Sequence, residues 1–535
     1  MYKRQTQNSA VSAPVWAYLG GIRIDGCPFS LSNRKYQAEL MSPKTADGKV
    51  KTHEVIRKGS QIGVTMGKVI EIAHGAIHGL YPQGIIYYFP SSRAVEIFSG
   101  SRFRPFLNDN DSIKKYCNDI NAVAVRRIGN TNVNFFGCSA TINRSGQAKD
   151  SVYLHSTPAD WILLDERDTF DDEMAAQVNQ RLGNSKINRR SDVGTPKLPD
   201  DGVDRIYGKS DMRRWQIKCD CGKYTCLESE FPQCIGVNSE GGYPMCVHCG
   251  KRIHRANGLW VPDYPGREVV GYWVSQLLNP NRDLAHVLKE CEDPEAYDST
   301  EAEFNRTVMG LPFVTEHDKL MESDVLACKT GEGMKFSHDG PCAMGVDIGK
   351  DIHVVIGHRI GNDRYRIVRM AHLPDYKALH DLAAKFNVKS AVLDALPETH
   401  SNRDFQKTEP YTVYMCYYSD HLKTFDTWNQ ETLIVNVNRT EIFDATHNLV
   451  KSPGKLMIPR ICEEVKIFAH QMCQCAKSLE EDKFGNKTYR YRKTGDKQDH
   501  YRSALNYFLL ACKKVGLPSF HKQTRQTEQD MTYSL

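Results

Sequence analysis

The chain has 535 residues, of which 40% are hydrophobic and 25% charged. At roughly 150 residues per domain, that length predicts three to four domains. The balance is that of an ordinary folded protein and excludes a disordered or fibrous chain. Mean hydropathy is −0.52, and no run approaches the ~18 apolar residues of a membrane span, so no membrane is expected as a partner. Seventy Lys and Arg against 65 Asp and Glu leave a net charge of +5, which permits nucleic acid without arguing for it. The basic N-terminus lacks an apolar stretch, so no signal peptide is expected. Seventeen cysteines without a dense framework read as metal ligands first, in a reducing compartment.

Residues 1–30 are polar and then Gly-rich. From about 50 to 200, β-rich runs (Glu54–Ile56, Gly84–Phe89, Val133–Phe136, Trp161–Leu164) alternate with helical stretches, the rhythm of an α/β domain with a largely parallel sheet. Lys58-Gly59-Ser60-Gln61-Ile62-Gly63-Val64-Thr65 lies between a β-run and a helical pattern. A phosphate loop needs small residues, N–H groups aimed at phosphate, a lysine and a metal-binding hydroxyl. Gly63 and Thr65 fit. Val64 stands where the lysine usually is, and Lys58 is the nearby replacement. An ordinary strand–turn–helix with a surface lysine is the competing reading.

Trp161–Leu164 reads as a buried central strand that delivers Asp165 and Glu166 to the mouth of that loop. There Asp165 can hold magnesium and Glu166 can orient or deprotonate water. The alternative is a solvated acidic turn. Gly194-Thr195-Pro196 offers a hydroxyl-bearing turn of the kind that senses a γ-phosphate.

Cys219-x-Cys221 and Cys246-x₂-Cys249, each pair followed by Gly, have the composition of a tetrahedral structural zinc site, with Cys226, Cys234 and His248 as spare ligands. The insert spans about 215–255. Leu326–Asp339, with Gly, Lys and Ser and little periodicity, reads as a linker.

Beyond it, Ala343–Ile348, His353–Gly357 and Arg364–Leu373 read as strands, Tyr376–Asn387 as an amphipathic helix and Ser390–Ala395 as a fourth strand. That is the opening order of a ribonuclease H-like domain. The last helix runs from about Asp499 to Lys514. Asp347 on the first strand, Asp394 at the end of the fourth and Asp499 at the start of the last helix are acids that are costly to bury unless paired or metal-bound. Together they can hold two divalent ions for phosphodiester hydrolysis. Asp499 could instead cap its helix, Asp394 could cap the following turn, and Asp496 competes with Asp499 for the third place.

The lysine-first loop, YYFPSSRAVEIFSGSRFRPFL (87–107), WILLDERD, VGTP and the cysteine pairs resemble the large terminase subunit of tailed bacteriophages, closest in type to the lambda-like packaging ATPase. The resemblance spans roughly residues 30–515. It implies an α/β chain with a P-loop ATPase domain at 31–325 containing the zinc-binding insert, a linker at 326–340, a ribonuclease H-like nuclease domain at 341–515 and a tail at 516–535. It implies ATP and Mg²⁺ at Lys58, Gly63, Thr65 and Asp165, catalysis by Glu166, coupling by Thr195, and an adenine-reading role for Gln37. The nuclease would use Mg²⁺ or Mn²⁺ on Asp347, Asp394 and Asp499. Implied partners are double-stranded viral DNA, a small terminase subunit and the portal protein of the procapsid, with assembly as a homo-oligomeric ring in the host cell cytoplasm. Gln61 replaces the loop arginine of many relatives, so Arg102, Arg104 and Arg144 become candidates for the transition-state charge. Two other readings stand beside this one: a cellular helicase–nuclease, and a zinc-containing recombinase-like nuclease whose phosphate loop is degenerate.

Overall fold

In the computed structural model the chain divides into two compact units, Met1–Phe313 and Val314–Leu535. The structure describes residues 11–117, 123–137, 141–142, 148–149, 157–170, 172–314, 318–361, 363–420, 422–481, 487–494 and 498–515. Arg144, Asp496 and the 516–535 tail fall outside them. Among the described residues, no helix is long and apolar enough to cross a membrane.

The first unit is built on a ten-stranded mixed sheet. Its strands are β1 (His53–Lys58), β2 (Ile85–Phe89), β3 (Val125–Ile128), β4 (Thr131–Gly137), β5 (Trp161–Leu164), β6 (Arg189–Gly194), β7 (Arg213–Lys218), β8 (Tyr224–Thr225), β9 (Gly258–Pro262) and β10 (Val270–Val274). The order is β8-β7-β10-β1-β6-β5-β2-β4-β3, with β9 also on β7. The centre, β10 through β4, is parallel, and the hairpins at both ends are antiparallel. Trp161, Ile162, Leu163 and Leu164 are fully buried, as a run covered on both faces must be. Helix α1 (Val64–Ile77) follows β1 and packs its apolar face into the same core.

That core also holds charge. Glu54, on β1, is completely buried and accepts from Lys68 Nζ (2.6 Å), Arg189 Nη2 (3.0 Å), Lys51 Nζ (3.2 Å) and Ser191 Oγ (2.6 Å). The surrounding cations hold its carboxyl well below the usual range despite the burial. Such a carboxylate is tolerable only because each lone pair has a donor.

The second unit carries an eight-stranded sheet of β11 (Cys342–Ile348), β12 (Ile352–Gly361), β13 (Arg364–Leu373), β14 (Val388–Asp394), β15 (Thr412–Ser419), β16 (Asp426–Asn429), β17 (Ile434–Asn438) and β18 (Leu456–Met457). The order is β16-β17-β15-β14-β11-β12-β13-β18. β11, β12 and β13 form antiparallel hairpins, and β14 lies parallel to β11, as their sequence order predicts. The predicted helix at 376–387 is shorter, Tyr376–Ala383.

The boundary differs from the expected one. The segment read as the end of the ATPase domain and a linker belongs to the second unit. Helix α2 (Glu322–Ala327) sends Val325 into that unit's core, beside Leu320. Thr330 N–H donates to the Ile458 carbonyl (2.8 Å), Lys335 to Val368 (2.9 Å) and His338 to Lys385 (3.0 Å). These backbone bonds hold the segment without any apolar periodicity, so pattern reading takes it for a free connector.

Candidate active sites

The parallel sheet brings three sequence motifs to one edge. β1 ends at Lys58, β5 at Leu164 just before Asp165, and β6, between them, at Gly194 just before Thr195. Ligands bind at this carboxyl edge in α/β sheets because strand ends and helix N-termini converge there. A cavity of about 420 Å³ opens at this edge, lined by Lys58, Ser60–Met66, Asp165, Glu166 and Arg102. Lys58 Nζ lies 3.4 Å from Glu166 Oε1, and Thr65 Oγ1 lies 3.4 Å from Asp165 Oδ2. Tyr87 donates its hydroxyl to the same Asp165 oxygen at 2.8 Å. Burial pushes the Asp165 carboxyl up, against the pull of Lys58. A buried carboxylate facing a hydroxyl fits a hard divalent cation.

The loop is used asymmetrically. Gly59 N–H donates to Val274 O (2.8 Å) and Ser60 N–H to Thr307 O (2.6 Å), so these two amides, expected among the phosphate donors, face the protein. A β-carbon at Gly59 would come within 2.7 Å of the Thr307 carbonyl, which is why glycine stands there. The amides available to an anion lie further on, around Gly63, the N-cap of α1, where no side chain caps the helix. Gln37 is buried and donates to Ile62 O at 2.5 Å, so its amide braces the loop from behind. Thr195 is half-buried after β6 and does not line the cavity. Arg102 does line it, whereas Arg104 does not.

Asp168 ties these parts together. Its two carboxyl oxygens accept from Lys197 N (3.2 Å) and Val203 N (3.1 Å), linking the acidic segment to the turn that carries Thr195. Enclosure raises its pKa to about 7 in spite of those donors.

In the second unit Asp347, Asp394 and Asp499 line one cavity of about 510 Å³. Val346 pairs with Leu393, which sets Asp347 beside Asp394 on neighbouring parallel strands. Helix α3 (His500–Cys512) crosses this sheet. A β-carbon at Gly345 would run into the Ala504 carbonyl and the Phe508 amide, so glycine permits the close approach that brings Asp499 to the acids. Asp499 occupies the N-cap position of α3, yet its side chain caps nothing. It meets Lys493 Nζ (2.5 Å) and accepts from Cys475 Sγ (3.3 Å). Asp394 accepts from Leu396 N (3.2 Å), so it does brace the following turn while facing the cavity. Burial, then the neighbouring Asp347, raises its pKa to about 6. Asp347 is likewise pushed up by burial, and it draws His500 Nδ1 to 2.9 Å, raising that imidazole's pKa.

Residues 28–261 match the family model described as phage terminase large subunit gpA, ATPase domain. This segment is a phage large-terminase ATPase domain. No curated protein matches the chain. Among solved structures, the large terminase of bacteriophage HK97 is 11% identical, with 93% of this chain and 99% of that one covered and a TM-score of 0.50. The large terminase of a thermophilic bacteriophage is 11% identical over 90% and 98%, TM-score 0.34. The large-terminase nuclease of thermophilic phage G20c is 11% identical over 35% and 95%, TM-score 0.25. The HK97 likeness shows that the fold of a large terminase extends across nearly the whole chain.

In this terminase ATPase segment the four predicted cysteines converge. The ligand atoms of Cys219, Cys221, Cys246 and Cys249 lie within 4.8 Å of one another. Each pair ends in a left-handed glycine, Gly222 (φ +85°) and Gly250 (φ +71°), whose N–H returns to the first cysteine's carbonyl at 2.9 Å. Four thiolates on two such turns fit a closed tetrahedral zinc site. Of the spare ligands, Cys226 bonds Glu228 and Ser229, Cys234 bonds Leu227 O, and His248 is exposed outside the cluster. The expected insert is not separate from the sheet, since β7 runs into it and β8, within it, pairs with β7.

Sequence reading missed the cations of the terminase-like second unit. Lys493, His500 and Arg439 line its acid cavity, together with a further acid, Asp420. Only the Asp499-His500 pair at a helix start offered a signal. Lys493 and Arg439 come from elements whose placement no local pattern gives.

Proposed function

We propose that the chain is a packaging motor joined to a nuclease: ATP hydrolysis in the first unit drives viral double-stranded DNA into a procapsid, and the second unit cuts concatemeric DNA. The observation that carries this reading is the convergence of Lys58, Thr65, Asp165 and Glu166 on one cavity within a terminase ATPase domain. It favours this reading over the degenerate-loop one, because Lys58 lines the cavity from the other end of the loop and would take the place of the lysine missing at Val64.

Thr65 and Asp165 would hold magnesium, whose charge offsets that developing on the phosphates. Lys58 exchanges Glu166 for the terminal phosphate when nucleotide enters, which frees Glu166 to orient and deprotonate water. Arg102, the one of the candidate arginines that lines the cavity among the described residues, would add positive charge for the transferring phosphoryl group. Asp168 transmits the state of the acidic segment to the Thr195 turn. Four cysteine thiolates would hold a structural zinc. In the second unit Asp347, Asp394 and Asp499 would hold two divalent ions, Mg²⁺ or Mn²⁺, that activate water and stabilise the leaving oxygen. Arg439 and Lys493 face the same cavity and would bind the phosphodiester backbone. A homo-oligomeric ring, the portal, the small terminase subunit and action in the host cytoplasm complete this reading.

Steady-state ATP hydrolysis, with and without linear duplex DNA, tests it beside Lys58→Ala. The reading expects DNA-stimulated turnover that falls at least ~10²-fold in the variant while metal-dependent cutting persists. Unchanged turnover in the variant refutes the assignment of Lys58.

A further inference from the structure

A second cluster of metal-ligating side chains lies in the C-terminal unit, away from the acid cavity. Cys342 opens β11, and His358 on β12 sits one step beyond the Ala343–Gly357 pair, opposite it. His338, on the segment leading into β11, turns back over both. Its Nδ1 is 3.7 Å from Cys342 Sγ, and its ring centroid is 4.9 Å from that of His358. The ligand atoms of all three lie within 4.8 Å of one another. Asp347 is five residues further along β11, about 16 Å away at ~3.3 Å per residue.

The cluster has the features of a built site. Cys342 is fully buried. His358 Nδ1 is buried and has no hydrogen-bond partner among the described residues. An imidazole nitrogen left that way loses a water bond and gains nothing, unless a ligand meets it. Gly340 makes the fold-back possible, since a β-carbon there would approach His338 Cε1 to 2.7 Å. The turn is fixed from outside by His338 N–H on Lys385 O and Cys342 N–H on Asn387 O. Two cations nearby, Lys335 and Arg366, are both paired with Glu332, which limits their repulsion of a bound cation.

We propose that His338, Cys342 and His358 form a second transition-metal site, taking Zn²⁺ through one thiolate and two imidazoles, with solvent in the fourth position. Zinc bonds of ~2.0–2.3 Å set neighbouring ligand atoms roughly 3.3–3.8 Å apart, the spacing that His338 Nδ1 and Cys342 Sγ already have, and zinc would replace the 3.2 Å contact of that Nδ1 with the Gly340 carbonyl. A thiolate with two imidazoles selects zinc or cobalt over magnesium. Bound there, the ion clips the lead-in segment to the first hairpin of the second unit. This site is independent of the packaging reading.

The test is the zinc content of the purified full-length chain, saturated with Zn²⁺ and passed through a desalting column. His338→Gln and Cys342→Ser should each lower the content by about one equivalent, leaving the equivalent held by the four-cysteine cluster. Equivalents lost in Asp347→Asn report zinc held at the acid cavity, so His338→Gln should lose its own equivalent in the Asp347→Asn background as well. His338→Gln is the safer variant, because the residue is partly exposed on the lead-in segment, and its melting curve without zinc reports whether the fold is intact. Wild-type zinc content in His338→Gln overturns the proposal, as does an unchanged content when His338→Gln is added to Asp347→Asn.

Discussion

The two cavities solve the same problem, holding acids out of water, in different ways. At the nucleotide cavity, buried Asp165 is steadied by the Tyr87 hydroxyl, and Glu166 by a lysine at the start of the loop itself. At the C-terminal cavity three aspartates share a wall, and their cations, Lys493 and His500, come from the chain just before and at the start of α3. At the first site one lysine, Lys58, meets Glu166; under the proposed function a polyphosphate would take that lysine over. The second is a like-charge cluster in which burial and Asp347 raise Asp394 to about 6, an arrangement that favours multivalent cations.

The comparison is easiest to break at the acids. Asp347→Asn should reduce metal-dependent cutting by roughly 10³-fold or more and leave ATP hydrolysis intact, read as plasmid cleavage beside phosphate release. Cutting retained in the variant would show that the cluster is not the reacting centre. Glu166→Gln should slow ATP hydrolysis by about 10²–10⁴-fold without loss of nucleotide binding or of cutting; a variant that stops binding nucleotide would make Glu166 structural.

Stability sharpens the contrast further. Glu54→Ala removes the hub of a buried ion network, leaving Lys68 and Arg189 to share Glu71 and leaving Lys51 with the Glu39 carbonyl. A destabilisation of about 3–5 kcal/mol is expected, confined to the first unit's unfolding transition in calorimetry. The smallest effect concerns Asp168. Its folded pKa is about 7 against an ordinary carboxylate near 4, so its contribution to stability is complete below pH ~4 and is lost as pH rises through 7. Melting curves of the first unit between pH 5 and 8 should therefore decline less steeply in Asp168→Asn than in the parent. Parallel curves would mean that Asp168 does not hold a proton in the fold.

Several of these features were legible in the chain. Trp161–Leu164 is so apolar that only a central strand could accommodate it, and the acids after it had to emerge at a sheet edge. Gly345-Val346-Asp347-Ile348 announces a charge inside an apolar strand, a cost that calls for a partner. The paired cysteines with their glycines carry their own turn geometry. Other features were not legible. The direction of the Gly59 and Ser60 amides depends on Val274 and Thr307, more than two hundred residues away. The 326–340 segment is held by backbone bonds, which leave no trace in side-chain pattern.

The sequence alone therefore determined what local physics imposes: the strand runs, the helix faces, the order of β11 to β14 and the residue types able to bind phosphate, zinc and divalent ions. Tertiary structure decided which of those groups meet, because pairing across a sheet and close approach of a helix are set by distant backbone. Only packing showed that Lys58 reaches Glu166, that Asp499 leaves its own helix uncapped to join Asp347 and Asp394, that Asp168 spans two loops, and that His338 folds over Cys342.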